Sequence, residues 1–196
     1  MLKKVAGRLF DLQCQRGILS DKERSLYEYA YVLLLSRIII YSIILMFGIV
    51  TGTCQEILSF LLPFTILRQY TGGIHLEKSA NCIIVSSIIV IGCGQYLATS
   101  PGMTVISVIV WTIAVVIIWV FVPVDTPNKK LDSVEKKVYG RRARIVLILE
   151  FFVACVLLFN RYILVAEGIA AAHIILADSL VLGMIQNFFT SKVRIH

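Results

Sequence analysis

A histidine and a cysteine seven residues apart are the residues whose types best fit a catalytic pair. His75 follows Gly72 and Gly73, and Cys82 comes later in the same stretch. A thiolate attacks carbonyl carbons readily, and an imidazole that accepts the thiol proton promotes its formation. Within one helix the two residues would lie about 10 Å apart along the axis, too far for a hydrogen bond. They can meet only if His75 lies outside the helix and folds back, and the two glycines permit the turn that this requires.

The same spacing also fits a free cysteine that packs against neighbouring helices and a solvated loop histidine. The remaining cysteines are Cys14, Cys54, Cys93 and Cys155. None has a histidine near it in sequence, and no pair has metal-ligand spacing, so we expect structural roles for these four. The pattern predicts no disulfide framework, no metal site and no cofactor.

The elements that must position these residues are apolar helices. Apolar residues make up 58% of the 196 residues and charged residues only 16%, whereas soluble domains carry about a quarter charged residues. The apolar residues form long runs, such as 82–97 and 105–124, and a membrane-spanning helix needs roughly 20 of them. The sequence therefore predicts an all-α, polytopic membrane protein. The net charge of +7 does not indicate nucleic acid, because the charges lie between the apolar runs.

Six apolar segments are predicted to cross the membrane. They cover residues 30–51, 54–68, 79–98, 103–124, 144–165 and 168–189. The second is the weakest, because Pro63 interrupts it and its short apolar core is also typical of a re-entrant loop. With six crossings and a cytoplasmic N-terminus, every Lys and Arg except Arg37 and Arg161 falls on the cytoplasmic side, as the positive-inside rule requires. We therefore predict a single multi-pass domain, 1–196, with both termini in the cytoplasm.

Three cytoplasmic regions of this domain have distinct predicted roles. Residues 1–29 contain an amphipathic helix over 2–13 that lies on the membrane surface. Residues 68–82 form the catalytic loop and the start of the third span. Residues 125–144 form a basic loop that contacts anionic lipid headgroups, and a sharper hypothesis is that it attracts an acidic peptide segment. The lysines proposed for that contact are Lys129, Lys130, Lys136 and Lys137.

Charged residues within predicted spans are candidates for function. Arg37 and Glu150 lie at comparable depth, which predicts that they pair. Asp178 and His173 lie in the last span, where a transporter would use them as a proton relay. The simpler interpretation is that these groups form ion pairs or hydrogen bonds that fix helix packing.

The stretch from Arg68 through Gly-Gly-Ile-His to Cys82 resembles the accessory gene regulator B (AgrB) family. The chain length, the basic amphipathic N-terminus and the Pro-Val-Asp-Thr-Pro-Asn-Lys stretch after the fourth span are similar as well. Family members are membrane peptidases of bacterial quorum sensing, which remove the C-terminal tail of a small precursor, AgrD, and help to form a cyclic peptide. The resemblance implies Cys82 as the nucleophile and His75 as its base.

The resemblance also implies that Arg68 and Gly73, with Gly72 beside it, support activity. No third catalytic residue is evident, and Glu77 and Asn81 are only candidates for it. The expected partners are an AgrD-like precursor and the lipids of a bacterial cell membrane, with no nucleic acid. The oligomeric state stays open, a homodimer included. Two alternatives remain: a small transporter that uses Asp178 and His173, and a non-catalytic membrane scaffold.

Overall fold

The computed structural model of the chain describes residues 2–73, 79–100, 102–125 and 132–193, and of residues 79, 80, 82 and 190–193 it describes the backbone only. The described residues form α-helices joined by short connections, which confirms the predicted all-α class. The helices are α1 (Leu2–Gln15), α2 (Arg24–Thr51), α3 (Cys54–Thr71), α4 (Ser79–Thr99), α5 (Val105–Phe121), α6 (Ser133–Phe159) and α7 (Ile163–Val193).

The six predicted apolar segments correspond in order to helices α2 to α7. Four of them lie within their helices, whereas the predicted segments 103–124 and 144–165 extend beyond the ends of α5 and α6. Helix α6 begins at Ser133, so the second half of the predicted basic loop is helical. The start is fixed by a capping box, in which the Glu135 N–H donates to Asp132 Oδ1 at 2.6 Å and the Asp132 N–H donates to Glu135 Oε2 at 3.2 Å. Helix α7 begins at Ile163, five residues before the predicted position.

Helix α7 is the central helix of the fold and packs against α3, α4, α5 and α6. Its buried residues include several alanines, and such small side chains let neighbouring helices approach closely. At Gly168 the approach to α3 is so close that an added Cβ would lie 2.7 Å from Ser59 Cβ. The central position of α7 means that polar groups on it can reach several other helices.

Helix α2 lies at the periphery and exposes large apolar side chains, among them Ile38, Leu45 and Ile49. Extended apolar surfaces of this kind are rare on soluble monomers. In the described part of the chain, Asp21–Thr51 and Ile163–Phe189 are long and apolar enough to cross a membrane, and Ile83–Thr99 and Val105–Phe121 are shorter apolar helices. These helices indicate a membrane protein, while the six crossings and the cytoplasmic termini stay predictions.

The N-terminal helix α1 has two apolar faces. Ala6 and Phe10 are buried, and Phe10 lies beside Tyr27 of α2 with a ring-centroid distance of 6.4 Å. The apolar residues Val5, Leu9 and Leu12 of the same helix form an exposed stripe instead. This exposed stripe is able to face a lipid surface, and the contact of α1 with the membrane stays a prediction.

Candidate functional site

The predicted catalytic pair falls partly outside the described residues. Cys82 is the fourth residue of α4, and its side chain is not among those described. His75, together with Glu77, Lys129 and Lys130, lies outside the described residues. The contact between Cys82 and His75 therefore stays a prediction. The structure does describe the residues that lead into this loop, from Arg68 to Gly73.

The Gly72–Gly73 turn ends α3 and begins the loop toward His75. Both glycines have positive φ, 74° at Gly72 and 114° at Gly73, a region that residues with a Cβ rarely adopt. The turn lies against the segment that follows α5, where the Val124 N–H donates to the Thr71 carbonyl at 2.9 Å. A Cβ on Gly72 would overlap the Val124 carbonyl oxygen. The two glycines thus permit both a sharp turn and the close approach of the Val124 backbone. The sequence predicted the turn but not the close approach.

Arg68 holds this turn in place from the last turn of α3. Its Nη1 donates to the Gly72 carbonyl oxygen and to the Ser179 hydroxyl of α7, the latter at 2.7 Å. An arginine near the C-terminus of a helix also lies favourably in the helix dipole. The structure thus brings together three predicted residues, Arg68, Gly72 and Gly73.

Ser179 is the residue of this cluster that sequence reasoning missed. It lies 111 positions after Arg68, and nothing in the local sequence links a serine in an apolar run to a distant arginine. Only the packing of α3 against α7 brings the two side chains together.

The chain after α5 is anchored at the same end of the fold. Arg144 of α6 donates from Nε to the Trp119 carbonyl at 3.1 Å and from Nη2 to the Val122 carbonyl at 3.4 Å. Asn187 of α7 donates to the Asp125 carbonyl at 2.6 Å. The segment that resembles the family's Pro-Val-Asp stretch is therefore fixed beside the Gly72–Gly73 turn.

The predicted tail-binding lysines differ in their surroundings. Lys136 pairs with Asp125, with 2.8 Å between Nζ and Oδ2, and both side chains are partly exposed. Lys137, Arg141 and Arg142 are exposed on the first turns of α6. The basic surface near the turn therefore includes Arg141 and Arg142 besides the predicted lysines, and Lys136 already has an acidic partner.

Glu150 has a different partner from the predicted one. Its Oε2 lies 3.0 Å from His173 Nε2, and the ion pairs of the described residues do not include one between Arg37 and Glu150. On the other side of the ring, Trp111 Nε1 donates to His173 Nδ1 at 2.9 Å. Because the indole can only donate, Nδ1 must be unprotonated, so Nε2 carries the proton and donates to Glu150. The contacts describe a neutral histidine that joins α5, α6 and α7.

The proposed proton relay between His173 and Asp178 has no direct contact to support it. His173 is fully buried, whereas Asp178 is exposed. Five helical positions separate them by about 7.5 Å along the axis and point them in different directions. The structure favours the packing interpretation of His173.

The other cysteines have no contact with a histidine among the described residues. The Cys14 thiol donates to the Leu19 carbonyl at 3.2 Å, and desolvation by burial, together with the nearby Asp21 carboxylate, raises its pKa. His173 is the only histidine in the described stretches, and its two ring nitrogens contact Trp111 and Glu150. Cys54 lines an apolar groove of about 390 Å³ between α2 and α3. No group of potential metal ligands occurs among the residues that the structure describes.

Comparison with known proteins places these residues in a family context. A sequence model described as Accessory gene regulator B matches residues 6–190. Two proteins of Clostridium perfringens, of strains 13 / Type A and SM101 / Type A, are each 31% identical over 60% of this chain, and both are named as AgrB-like. An AgrB-like protein of Listeria monocytogenes serotype 4a (strain HCC23) is 24% identical over 72% of this chain and 71% of its own length.

The match covers 58% of the length of each Clostridium perfringens relative. No solved structure matches the chain. The matched segment of the family model includes Arg68, the Gly72–Gly73 turn, His75, Cys82 and the segment after α5.

Proposed function

Because the chain belongs to the Accessory gene regulator B family, we propose that it is a membrane-embedded cysteine endopeptidase. Its substrate is an AgrD-like precursor peptide, from which it removes the C-terminal tail and promotes cyclisation of the remainder. The observation that carries this proposal is the anchored turn. Arg68 holds Gly72 and Gly73 against α7, two residues before His75 and shortly before the helix that carries Cys82.

The turn matters because it sets where the loop toward His75 begins. The loop runs from Gly73 to Ser79, the first residue of α4. With five residues between these points, the loop cannot travel far from the two helix ends that it joins. We propose that His75 reaches from this loop to the first turns of α4, where Cys82 lies.

The position of Cys82 in α4 supports its proposed role as the nucleophile. As the fourth residue of α4 it belongs to the first turn, near the positive end of the helix dipole. Cysteines at helix N-termini or beside a histidine have lowered thiol pKa values and are the reactive ones. The same placement distinguishes Cys82 from Cys14, whose surroundings raise the thiol pKa.

The proposed reaction begins when His75 accepts the proton of the Cys82 thiol. The sulfur attacks the scissile carbonyl carbon, and the carbon–nitrogen bond breaks as the imidazolium of His75 protonates the leaving amine. The tail departs, and the rest of the precursor remains as a thioester on Cys82. The site needs no metal or cofactor for these steps.

Cyclisation follows from the chemistry of the thioester. A thiol or hydroxyl of the same peptide attacks the thioester carbonyl, and the Cys82 thiolate leaves and is reprotonated. Exchange between a thioester and a thiol is nearly isoenergetic, so the acyl-enzyme preserves the activation that hydrolysis would lose. A site at the membrane boundary limits the access of water to this intermediate.

The basic surface near the turn is proposed to hold the acidic tail of the precursor. It comprises Lys129, Lys130, Lys136 and Lys137, with Arg141 and Arg142 on the following helical turns. The Lys136–Asp125 pair is half-exposed, and an exposed pair of this kind is worth about 1 kcal/mol at most. A carboxylate of the substrate can therefore compete with Asp125 for this lysine.

We further propose that the protein lies in a bacterial cell membrane with six crossings and both termini in the cytoplasm. The exposed stripe of α1, through Val5, Leu9 and Leu12, then rests on the inner leaflet. The amphipathic leader of the precursor would lie in the same leaflet, which concentrates substrate beside the enzyme.

Co-expression with an AgrD-like precursor tests the proposal. Wild type, Cys82→Ala and His75→Ala are compared at equal membrane abundance, with Ser36→Ala as a control. The Ser36 hydroxyl bonds only to Val32 of its own helix among the contacts of the described residues. We expect precursor cleavage in wild type and Ser36→Ala, and a loss of at least a thousandfold in the two site variants. Cleavage that persists without Cys82 would overturn the proposal.

A further inference from the structure

Ser179 occupies an unusual place for a hydroxyl group. It lies in the middle of α7, one residue before Leu180 and three after Leu176, both of which are fully buried. A polar side chain on such a helix face needs a hydrogen-bond partner. The Ser179 hydroxyl has a partner on another helix, because it accepts a hydrogen bond from Arg68 Nη1 of α3 at 2.7 Å.

The same guanidinium nitrogen also donates to the Gly72 carbonyl. An Nη nitrogen of arginine carries two hydrogens, so one hydrogen is available for each acceptor. A single nitrogen therefore ties the end of α3 to α7. If the hydroxyl were removed, the hydrogen bond between Arg68 and Ser179 of α7 would be lost.

Gly73 packs directly on this contact. A Cβ at Gly73 would lie 2.9 Å from Ser179 Oγ and 3.0 Å from the Ser179 carbonyl oxygen, and it would overlap Arg68 Nη1. The space that a side chain would need at Gly73 is therefore filled by the Arg68–Ser179 pair. The glycine, the arginine and the serine form one interlocked contact, which we call the α7 anchor.

From these contacts we infer that Ser179 is a positioning residue for the peptidase reaction. This inference rests on the proposed function. Ser179 does not touch the reacting atoms. It fixes Arg68, and through Arg68 and Gly73 it fixes the point from which the chain runs to His75, two residues further on.

The kinetic consequence follows from the role of position in catalysis. A displacement of about 1 Å in a catalytic group can lower a rate a hundredfold. A lost hydrogen bond to a charged group has an effect of roughly ten- to a hundredfold. Because the anchor acts on the geometry of His75 and not on substrate binding, Ser179→Ala is expected to lower kcat and to leave KM nearly unchanged.

The test uses the full chain reconstituted in lipid vesicles with a synthetic AgrD-like precursor. Wild type, Ser179→Ala, Cys82→Ala and the control Ser36→Ala are assayed for kcat and KM. In parallel, the rate of iodoacetamide labelling of Cys82 is measured at pH 7 by mass spectrometry of the Cys82 peptide. Labelling reports how much thiolate the site supports without any substrate.

The expected result is a ten- to hundredfold lower kcat in Ser179→Ala with KM within about threefold of wild type. Labelling of Cys82 should also be several times slower, while Ser36→Ala behaves as wild type. A wild-type kcat in Ser179→Ala, or a raised KM at unchanged kcat, would overturn the inference. If Ser179→Ala does not accumulate in the membrane, Ser179→Cys takes its place, because a thiol is nearly the same size and a much weaker acceptor. A wild-type kcat in Ser179→Cys overturns the inference equally.

A double-mutant cycle separates positioning from general destabilisation. If Ser179 acts through Arg68, adding Ser179→Ala to Arg68→Lys should lower kcat much less than it does in wild type. Equal effects in both backgrounds contradict the inference.

The Cys82→Ala variant distinguishes failure of the proposed peptidase function from failure of the proposed role of Ser179. If Cys82→Ala still cleaves the precursor, the proposed function is wrong. If Cys82→Ala does not cleave it but Ser179→Ala has the kcat of wild type, only the proposed role of Ser179 is wrong.

Discussion

Gly73 lies against Arg68 and Ser179, and a Cβ at this position would be within 3 Å of both residues. The glycine pair before His75 predicted a sharp turn, and both glycines have positive φ. The structure adds the reason why a side chain is excluded at this point, since Arg68 and Ser179 occupy the space. The turn was readable from local sequence, whereas the contact with Ser179 depends on packing between distant segments.

Gly73→Ala is therefore expected to abolish most of the activity. The added methyl would displace Arg68, and the positive φ would cost roughly a further 1 kcal/mol. We expect precursor cleavage to fall at least tenfold at normal membrane abundance, as measured by mass spectrometry of the precursor.

Gly17→Ala is the matched control for this substitution. Gly17 also has positive φ, but no atom lies within 4 Å of an added Cβ. This variant should cleave the precursor normally. Equal activity in Gly73→Ala and Gly17→Ala would show that the α7 anchor is not needed.

At the scale of helices, α6 shows why a boundary was missed. The charges between Lys129 and Arg144 favoured a loop, yet Asp132 and Glu135 have the spacing of a capping box. The structure uses that box to start the helix at Ser133. The spacing of the capping box was visible in the sequence, but the density of positive charge favoured the prediction of a loop. The exposed residues Lys136, Lys137, Arg141 and Arg142 thus lie on a helix and not in a loop.

Neutralising the basic surface tests its role in substrate binding. A variant with Gln at Lys129, Lys130, Lys136 and Lys137 should show a raised KM for the precursor and an almost unchanged kcat. In wild type, KM should rise with salt because salt screens the attraction between these positive charges and the acidic tail. The variant should lose most of this salt dependence. Normal KM and normal salt dependence in the correctly inserted variant would exclude the surface from tail binding.

The helices α5, α6 and α7 are joined by the Trp111–His173–Glu150 contacts. The sequence identified His173 and Glu150 as polar residues within apolar segments, but it predicted the wrong partner for Glu150. The choice between Arg37 and His173 depends on which helices are adjacent, and charge and depth alone do not determine this. The observed contacts make these residues a packing feature of the fold.

Replacing His173 should therefore destabilise the protein. His173→Leu leaves the Trp111 indole and the Glu150 carboxyl without their partner, at a cost of about 1–2 kcal/mol in a membrane setting. Glu150→Gln keeps an acceptor for His173 Nε2 and should cost much less. Unfolding of the detergent-solubilised protein, followed by circular dichroism, measures both, with the exposed Asp178→Asn as a control. Equal stability of His173→Leu and wild type would contradict this account.

At the scale of the molecule, the apolar pattern predicted the class of the fold and the order of its helices. It did not predict which helix lies at the centre. That position belongs to α7, because its small residues allow close contact with four neighbours. Helix α2 lies at the periphery and exposes apolar side chains, as a helix that faces lipid in a membrane protein does.

The topology is a prediction that reporter fusions can test. Six crossings place both termini and the segment around residues 125–132 in the cytoplasm. Alkaline phosphatase fused at the C-terminus should be inactive, and fused at Gly102 it should be active, because that residue lies in a predicted outer connection. An active fusion at the C-terminus would require an odd number of crossings for a cytoplasmic N-terminus.

The central claim is that Cys82 forms a covalent thioester with the precursor, and the most direct measurement is the mass of the Cys82 peptide during turnover. The full chain is mixed with an AgrD-like precursor in lipid vesicles, quenched in acid and analysed by mass spectrometry. We predict an adduct on Cys82 equal to the precursor without its tail, released by hydroxylamine and absent from Cys82→Ala. Release of the tail with no adduct at Cys82, or an adduct on another residue, would contradict the account.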